Sequence, residues 1–239
     1  MSGIFETAFN LRTSDFDCRK NLLPGAVLDI FQEIAGLHSE ALGVGIEDMQ
    51  KNELMWVLVK VRYKVLKEPK LHQRVLVKTW PLPPDRISYR REYEILDEEG
   101  NTLILGSSEW VTVHSTRRRI MPTKAIYNLS DEEFCTRLCF EEKCEKIKPF
   151  DALGNGFEIS PRYCDIDLNG HVNNTKYANF VVDALSPERP IKTFQIDYHK
   201  EVFAGCDLKI HTSAFKNQTV AIGKNNLNEN MFSCKVLWE

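Results

Sequence analysis

Apolar residues along the first half of the chain recur first at helical and then at strand-like spacing. The helical spacing covers residues 26–42, where Pro24 suits the first turn and Gly43 suits the end. Four strand-like runs follow, and a polar loop typical of a hairpin joins the last two. The four runs cover residues 55–66, 75–81, 87–96 and 103–114. Together they predict one long helix wrapped by an antiparallel sheet.

The second half of the chain repeats this order of elements. A strand is expected over residues 157–164 and a helix over 174–185. Further strands are expected near residues 194–202, 208–215, 219–224 and 231–238. Each half therefore combines a long helix with an antiparallel sheet, which is an α+β fold. Two such halves in tandem have the architecture of a double hot-dog protein.

A polar segment separates the two halves. Its sequence from Ser130 to Glu133 has the pattern of a capping box, which predicts an acidic amphipathic helix that runs to about Ile147. We therefore expect an N-terminal hot-dog domain, a helical linker and a C-terminal hot-dog domain. The predicted ranges are residues 1–128, 129–153 and 154–239, respectively.

A short internal repeat relates the two halves. Residues 12–17 match residues 162–167 at a shift of 150 residues, and a helix-like segment follows each copy. The same shift pairs Asn21 with His171, and the first copy also has no amide equivalent to Asn169. We therefore expect the second half to be catalytic, and the first to be catalytically degenerate and to bind substrate.

Composition and charge exclude several classes of protein. The hydrophobic fraction of 43% and the charged fraction of 27% are those of an ordinary globular protein. No run approaches the ~20 apolar residues of a membrane span, and the start of the chain has no signal-peptide pattern. The net charge of −3 argues against non-specific nucleic-acid binding. Short basic runs such as Arg90-Arg91 are interpreted as solvated strand ends.

The cysteines indicate a reducing compartment. There are seven, an odd number without a regular framework, which fits free thiols in the cytoplasm. Cys135, Cys139 and Cys144 lie close together in sequence, but they form no C-x-x-C pair and no His lies near them. Ordinary thiols are therefore favoured over a zinc site. We expect no metal and no cofactor.

The densest group of candidate catalytic side chains lies just ahead of the second predicted helix. Asp167, Asn169 and His171 place a carboxylate, an amide and an imidazole within five residues. Asn173 or Asn174 can cap the helix, whose unpaired N–H groups favour negative charge. The same pattern also fits an ordinary Asx-rich turn with a cap, so the spacing alone leaves both interpretations open.

Two motifs stand out in the second half of the chain. They are Asp167-x-Asn169-x-His171-Val172-Asn173-Asn174-x-Lys176-Tyr177 and Asp197-Tyr198-His199-Lys200-Glu201. Both resemble the signature of the acyl-acyl-carrier-protein thioesterases, a family known from plants and bacteria, and the similarity extends along the whole chain. The resemblance implies hydrolysis of a fatty acyl thioester on acyl carrier protein, with release of free fatty acid.

The resemblance also implies a catalytic group made of Asp167, Asn169, His171 and Glu201. Many family members place a Cys directly after the matching glutamate, whereas this chain has Val202 there. Water activated by Glu201, by His171 or by both is therefore favoured over a cysteine nucleophile. Without the resemblance, Glu201 would be read as a surface carboxylate paired with a neighbour.

The remaining predicted sites concern the acyl chain and its carrier. A tethered acyl chain needs an apolar slot, since burial contributes about 0.8 kcal/mol per CH₂ group, and the first half is its expected place. Core packing explains the candidate slot residues equally well. Acyl carrier protein is acidic, as the family relation implies, so a basic docking rim is expected. The slot candidates are Phe31, Ile34, Trp56 and Leu58, and the rim candidates are Arg117, Arg118, Arg119 and Lys176.

Other functions stay open at this point. The nearest is a hot-dog thioesterase that acts on acyl-coenzyme A, and a non-catalytic acyl-binding protein is a second. A hot-dog dehydratase is disfavoured, because its paired His and acid are expected without the Asn-x-His arrangement. The sequence also leaves the chain-length preference and the oligomeric state open, a homodimer included.

Overall fold

The computed structural model describes residues 3–123, 131–150 and 154–239, and these form an α+β fold. Its helices are α1 (Pro24–Ala41), α2 (Ile46–Lys51) and α3 (Lys176–Leu185). Its strands are β1 (Phe5–Asn10), β2 (Leu54–Val65), β3 (Arg74–Pro81), β4 (Tyr89–Leu96), β5 (Thr102–His114), β6 (Ile120–Met121), β7 (Phe157–Ile159), β8 (Ile191–Tyr198), β9 (Leu208–Phe215), β10 (Gln218–Asn225) and β11 (Asn230–Trp238).

The two halves have the same strand order, which confirms the tandem arrangement. The first sheet runs β1-β3-β4-β5-β2, with β6 paired to β5, and the second runs β7-β9-β10-β11-β8. All pairs between these neighbours are antiparallel. A helix follows the first strand of each sheet. The predicted strands and both long helices are therefore present, and β1, β6 and α2 are additions that the pattern did not indicate.

Two of the predicted strands are shorter than expected. The strand predicted over residues 157–164 ends at Ile159, and a 3-10 turn, Tyr163–Asp165, follows it. The strand predicted over 194–202 ends at Tyr198, so that Glu201 lies in the loop after β8. Apolar alternation marks a buried face but does not show where backbone pairing stops.

The described residues divide into two compact units. The first comprises Met1–Ser14 and Asp29–Lys143, and the second comprises Asp15–Leu28 and Cys144–Glu239. The domain ranges predicted from the sequence are continuous and place residues 15–28 in the first domain. This segment includes the end of the first repeat copy and the start of α1, and it belongs to the second unit. One reason is a close approach of two helices there: a Cβ on Gly25 would lie 2.0 Å from the side-chain oxygen of Asn179.

Aromatic stacking fixes α1 on the first sheet. The Phe31 ring stacks on Tyr93 of β4 with centroids 4.2 Å apart. Beside it, a Cβ on Gly106 of β5 would come within 2.2 Å of the Phe31 ring, so only glycine allows this approach. Ile34, on the same face of the helix, is fully buried. This contact defines which face of the first sheet lies under α1.

A buried arginine lies on that same face. Arg91 is only 7% exposed, and its guanidinium donates to His38 Nδ1 at 2.9 Å and to Thr79 Oγ1 at 3.3 Å. The His38 ring also stacks on Phe5. The interpretation of Arg90-Arg91 as a solvated strand end is therefore wrong for Arg91, because β4 turns alternate side chains to opposite faces.

His38 should make folding stability depend on pH. Burial, reinforced by the charge of Arg91, lowers the pKa of His38 to about 3 in the folded protein. The unfolded chain takes up a proton at this position below about pH 6.5, whereas the folded protein does so only near pH 3. Stability is therefore fully present above pH 6.5 and is lost as the pH falls, by up to about 1.4 kcal/mol per pH unit.

Urea unfolding between pH 7 and pH 4.5 measures this loss. His38→Asn should flatten the dependence, and His72→Asn, at an exposed histidine, should leave it as in the native protein. Equal slopes in the native protein and the His38 variant would contradict the assignment.

The predicted linker helix is wrong. Its capping residue, Ser130, lies outside the described residues, Asp131–Glu133 form one 3-10 turn, and residues 134–150 have neither helix nor strand. Their backbone bonds to the sheets instead. In the first unit the Cys139 N–H donates to Glu92 Oε2 at 2.8 Å, and in the second the Ile147 N–H donates to Asp197 Oδ2 at 2.8 Å. Tertiary hydrogen bonds have replaced the helical ones that the acidic periodicity favours.

Candidate active site

The segment of Asp167 to His171 folds as a tight turn that is held by its own carboxylate. Asp167 Oδ1 accepts the backbone N–H of Asn169 at 2.8 Å and that of His171 at 3.3 Å. The Asp167 N–H donates to the His171 carbonyl at 2.8 Å, and Gly170 adopts a positive φ of 79°. Asp167 therefore shapes the turn through backbone contacts.

The degenerate copy forms the same turn. Asp17 Oδ1 accepts the N–H groups of Arg19 and Asn21, both at 2.8 Å, and the Asp17 N–H donates to the Asn21 carbonyl at 2.9 Å. Lys20 has a positive φ of 68°, as Gly170 has in the second copy. The shift of 150 residues seen in the sequence is thus confirmed at the level of individual hydrogen bonds.

The two turns differ in the direction of one side chain. In the first copy the Asn21 side chain folds back, and its Nδ2 donates to Asp17 Oδ2 at 3.1 Å. In the second copy His171 points away from the turn, and its Nε2 lies 3.6 Å from Glu201 Oε2. The amide completes a structural turn, whereas the imidazole is presented to a carboxylate from another loop.

His171 and Glu201 form the centre of the candidate site. The side chains are 16% and 30% exposed, so both are sheltered but reachable. The His171 ring packs edge-on against Phe203, with centroids 4.8 Å apart. The Val172 N–H donates to the Val202 carbonyl at 2.8 Å, which ties the turn to the loop that carries Glu201. Sequence order separates these groups by thirty residues, and this bridge brings them together.

The residues beside Glu201 have other partners. Lys200 Nζ pairs with Glu229 Oε1 at 2.6 Å, and His199 Nε2 shares a hydrogen bond with Ser233 Oγ at 2.9 Å. The sequence alone would pair Glu201 with one of these two neighbours. Both of them bond to other residues, and Glu201 faces His171. Val202 is fully buried, and Cys206 lies in the exposed turn after Phe203.

Asn173 holds the start of α3. Its Oδ1 accepts the Thr175 N–H at 3.0 Å and the Thr175 hydroxyl at 3.1 Å. The N-cap residue of α3 is Thr175, which makes no side-chain cap hydrogen bond, so neither Asn173 nor Asn174 caps the helix as predicted. Asn173 instead bonds the capping residue and holds the chain between His171 and the helix.

Tyr177, which sequence reasoning did not assign to the site, lies beneath it. The side chain is only 2% exposed and packs edge-on against Tyr198 and Phe232. Burial raises the pKa of Tyr177, a hydrogen bond from the Val202 backbone lowers it, and the charges of Glu201 and Asp167 raise it again. The hydrogen bond with the Val202 backbone places the Tyr177 hydroxyl under the loop that carries Glu201. The only sequence signal was its place in the motif.

The predicted oxyanion donors at the helix start are largely occupied. Four backbone N–H groups there already donate to protein oxygens. Asn169, by contrast, is exposed in the turn. Its side-chain amide stays a candidate donor for a developing oxyanion. The four engaged N–H groups belong to Val172, Asn173, Thr175 and Lys176.

The predicted acyl-slot residues lie in the first unit. Phe31 and Ile34 face its sheet from α1, Leu58 is 9% exposed, and the Trp56 Nε1 donates to the Val44 carbonyl at 2.9 Å. All four pack in or beside the core, which is compatible with a slot and equally with simple packing.

The predicted docking residues lie on exposed or partly exposed surface. Arg117, Arg118 and Arg119 form the exposed turn between β5 and β6 in the first unit. Lys176 is the first residue of α3 in the second unit and is partly exposed. The structure places these residues within reach of a partner, and their docking role stays a prediction.

A cleft of about 670 Å³ also opens in the second unit. Its lining includes Phe157 and Phe180 together with Asp165 and Asp183. Burial, with the neighbouring charge of Asp165, raises the pKa of Asp183. None of the four predicted catalytic residues lines the cleft, so it is separate from the His171–Glu201 pair.

The described ranges show no other feature that changes this assignment. Within them, no helix has both the length and the hydropathy needed to span a bilayer. No group of three or more metal-binding side chains is arranged there to hold a metal ion.

Comparison with known protein families gives a match over both halves. Residues 2–127 match the model of the acyl-ACP thioesterase N-terminal domain, and residues 152–237 match that of the acyl-ACP thioesterase C-terminal domain. The two matches leave the segment between the halves uncovered, and together they span most of the chain.

Curated relatives are chloroplast proteins of plants. An oleoyl-acyl carrier protein thioesterase of Coriandrum sativum is 26% identical over 219 residues, covering 82% of this chain and 59% of the relative. A palmitoyl-acyl carrier protein thioesterase of Cuphea hookeriana is 26% identical over 217 residues, covering 83% and 52%. The chain thus spans little more than half the length of these relatives.

Solved structures share the fold over the full chain. An acyl-ACP thioesterase from Bacteroides thetaiotaomicron superimposes with a TM-score of 0.82 at 22% identity, covering 99% of this chain and 98% of that one. The 12:0-ACP thioesterase from Umbellularia californica gives a TM-score of 0.82 at 22% identity, covering 99% and 97%. At this identity the similarity establishes the tandem hot-dog fold.

Proposed function

The chain belongs to the acyl-ACP thioesterase family, and we propose that it hydrolyses fatty acyl thioesters of acyl carrier protein. The products would be a free fatty acid and the carrier thiol. The observation that carries the proposal is the approach of His171 Nε2 to Glu201 Oε2, at 3.6 Å, beside a turn that the degenerate copy also forms but without an imidazole.

The chemistry needs a deprotonated nucleophile, a stabilised oxyanion and a proton for the leaving thiolate. Water held between Glu201 and His171 loses a proton to one of them as its oxygen attacks the thioester carbon. The Asn169 amide donates to the carbonyl oxygen as negative charge develops there. When the C–S bond breaks, the protonated base returns its proton to the thiolate, so that water is consumed and acid and thiol are formed.

Asp167 acts through the turn in this scheme and does not touch substrate. Asp167→Ala removes the acceptor of two backbone N–H groups, which should lower the free energy of unfolding by about 1–2 kcal/mol. It should also slow hydrolysis by roughly tenfold, because Asn169 and His171 lose their fixed directions. Steady-state hydrolysis and urea unfolding of the same variant measure both effects.

The repeat supplies a matched control. Asp17→Ala removes the two equivalent backbone hydrogen bonds from the degenerate turn, together with the Asn21 side-chain hydrogen bond, and should cost at least as much stability with near-native hydrolysis. Equal losses of activity in the two variants would show that the effect comes from general destabilisation, and Asp167 would have no positioning role.

We assign the acyl chain to the first unit as part of this proposal. Phe31, Ile34, Trp56 and Leu58 are the slot candidates there, and the second hot-dog domain supplies the chemistry. Two facts about the sequence repeat support the division: the copy of the turn in the first half of the chain lacks an imidazole, and its Asn21 side chain is used structurally.

Docking of an acidic carrier is proposed at Arg117, Arg118, Arg119 and Lys176. If these residues form the rim, association should weaken strongly between low and high salt, because exposed charges are screened. Affinity measured by surface plasmon resonance across a salt series tests this. A salt-independent affinity would contradict a charged docking surface.

The decisive experiment compares two carriers of one acyl group. Purified protein is assayed with the same fatty acyl chain on acyl carrier protein and on coenzyme A. A higher kcat/KM with acyl carrier protein is expected. Equal or better hydrolysis of the coenzyme A thioester would favour the alternative thioesterase. Acyl binding without release of fatty acid would identify a non-catalytic binding protein instead.

The cellular setting is also part of the proposal. All seven cysteines are free thiols, and Cys18, Cys164 and Cys206 are exposed. Exposed thiols persist in a reducing compartment, which supports action in the cytoplasm within fatty acid biosynthesis.

A further inference from the structure

The helix-facing side of the first sheet carries more polar groups than a slot for a plain hydrocarbon requires. Cross-strand partners share a face, and the register pairs Arg91 with Ser108. Two residues further along β5, Trp110 lies on the same face, and Thr112 follows it after another two. This is the face on which Phe31 stacks, so these side chains form one layer on the α1 side of the sheet. Thr112 lies in this layer six residues along β5 from Gly106, where Phe31 packs.

Most of these polar groups satisfy one another. The neutral His38 accepts from Arg91 through Nδ1, and Ser108 Oγ accepts from Trp110 Nε1 at 2.7 Å. The Tyr93 hydroxyl completes the Ser108 environment at 2.9 Å. These hydrogen bonds form two groups, one around Arg91 and one around Ser108.

Thr112 differs from this network. It is fully buried, and within the described part of the chain its Oγ1 has no hydrogen-bond partner. Trp56 of β2 is its direct cross-strand neighbour. A buried hydroxyl without a partner is unfavourable, and valine would fill the same volume without that cost. A bound molecule with an oxygen atom at this point would supply the hydrogen-bond partner that the hydroxyl lacks.

We propose that this layer of the first unit binds acyl chains that carry a hydroxyl or oxo oxygen, and that this oxygen pairs with Thr112. The inference rests on the proposed thioesterase function and names the class of its acyl group. Trp56 and Trp110 supply apolar surface for the methylene groups on either side. A saturated chain in the same place would leave the Thr112 hydroxyl unpaired, as it is in the free protein, and would gain no hydrogen bond.

The first test uses binding, which does not depend on hydrolysis. Free fatty acids of one chain length are titrated against the native protein, either saturated or with one hydroxyl or oxo group at successive positions. Tryptophan fluorescence reports binding, since Trp56 and Trp110 flank the site. At least one oxygenated acid should bind more tightly than the saturated acid. Tighter binding of the saturated acid than of every oxygenated one would overturn the inference.

The second test uses an isosteric variant. Thr112→Val should lower the ratio of oxygenated to saturated affinity by roughly two- to tenfold, the usual worth of one hydrogen bond. Thr102→Val is the matched control, because Thr102 lies on the same strand and its hydroxyl is already bonded to Glu94 Oε1 at 3.0 Å. An unchanged ratio in the Thr112 variant would overturn the inference even if the native protein prefers oxygenated acids.

The same ratio is then measured as kcat/KM on acyl carrier protein substrates. If saturated and oxygenated substrates are hydrolysed at equal rates, and Thr112→Val changes neither rate, the inference is rejected and the thioesterase function stands. If the protein binds oxygenated acids more tightly but hydrolyses no acyl thioester, the thioesterase function is rejected and the proposed binding site is retained. The two failures are therefore distinguishable.

Discussion

Replacing Glu201 with Gln is expected to slow acyl thioester hydrolysis by about 10²–10⁴-fold, the usual contribution of a general base. Glutamine keeps the size and hydrogen-bonding shape of the side chain but cannot accept a proton from water. Single-turnover hydrolysis isolates the chemical step from product release. If Glu201 is the base, the first-order rate should fall while substrate affinity stays near the native value.

His171→Ala distinguishes the two candidate bases. If His171 only orients Glu201 or the water, its removal should cost less than the Gln substitution at Glu201. If His171 is the base, the order of the two effects reverses. Near-normal activity in Glu201→Gln would exclude Glu201 as the base and leave His171 in that role.

A surface glutamate nearby gives the control. Glu229 pairs with Lys200, one residue before Glu201, and its side chain is 41% exposed. Glu229→Gln removes a charge in the same region without touching the His171–Glu201 pair, so hydrolysis should be close to native. A large loss in this control would mean that the general electrostatic field, and not a proton acceptor, accounts for the effect.

Glu92→Ala should destabilise the protein by about 3 kcal/mol, because it leaves several buried donors without an acceptor. Glu92 is fully buried on the outer face of the first sheet. Its Oε1 accepts from Ser107 Oγ at 2.7 Å and from Arg90 at 3.1 Å, and its Oε2 accepts the Cys139 N–H. Urea unfolding at neutral pH measures the loss.

The same substitution should release the covering segment. Amide hydrogen exchange at Cys139 should accelerate more than exchange in the middle of β4. Glu109→Ala is the control, since Glu109 on β5 is 33% exposed and its pair with Lys60 is 3.7 Å long. Such a surface pair is worth about 0–1 kcal/mol. A similar loss in both variants would contradict the anchoring role of Glu92.

Several features of the fold could be predicted because their causes are local. The strand-like spacing over β2 to β5 located those strands within two residues. Pro24 marked the start of α1 because its ring fixes φ and it needs no donor there. The repeat at a shift of 150 residues was visible since Asp17 and Asp167 each build a turn from their own neighbours.

Other predictions failed where distant groups compete with local ones. The acidic periodicity after Ser130 favoured a helix, but buried carboxylates on the sheets accept the N–H groups that a helix would use. Arg91 looked like a solvated strand end, but the register of β4 turns it under α1. The pattern of apolar and charged residues in a segment does not show which hydrogen-bond acceptors lie opposite that segment in the folded protein.

The sequence by itself determined the tandem α+β architecture, the turn around Asp167 and the loss of the imidazole from the first copy. These follow from periodicity and from hydrogen bonds between residues close in the chain. Only the tertiary structure decided that His171 faces Glu201, that Tyr177 is buried against Tyr198 and Phe232, and that the Thr112 hydroxyl is buried without a hydrogen bond to any described residue. The reason is physical: such contacts join residues far apart in sequence, and their geometry is set by strand register and packing.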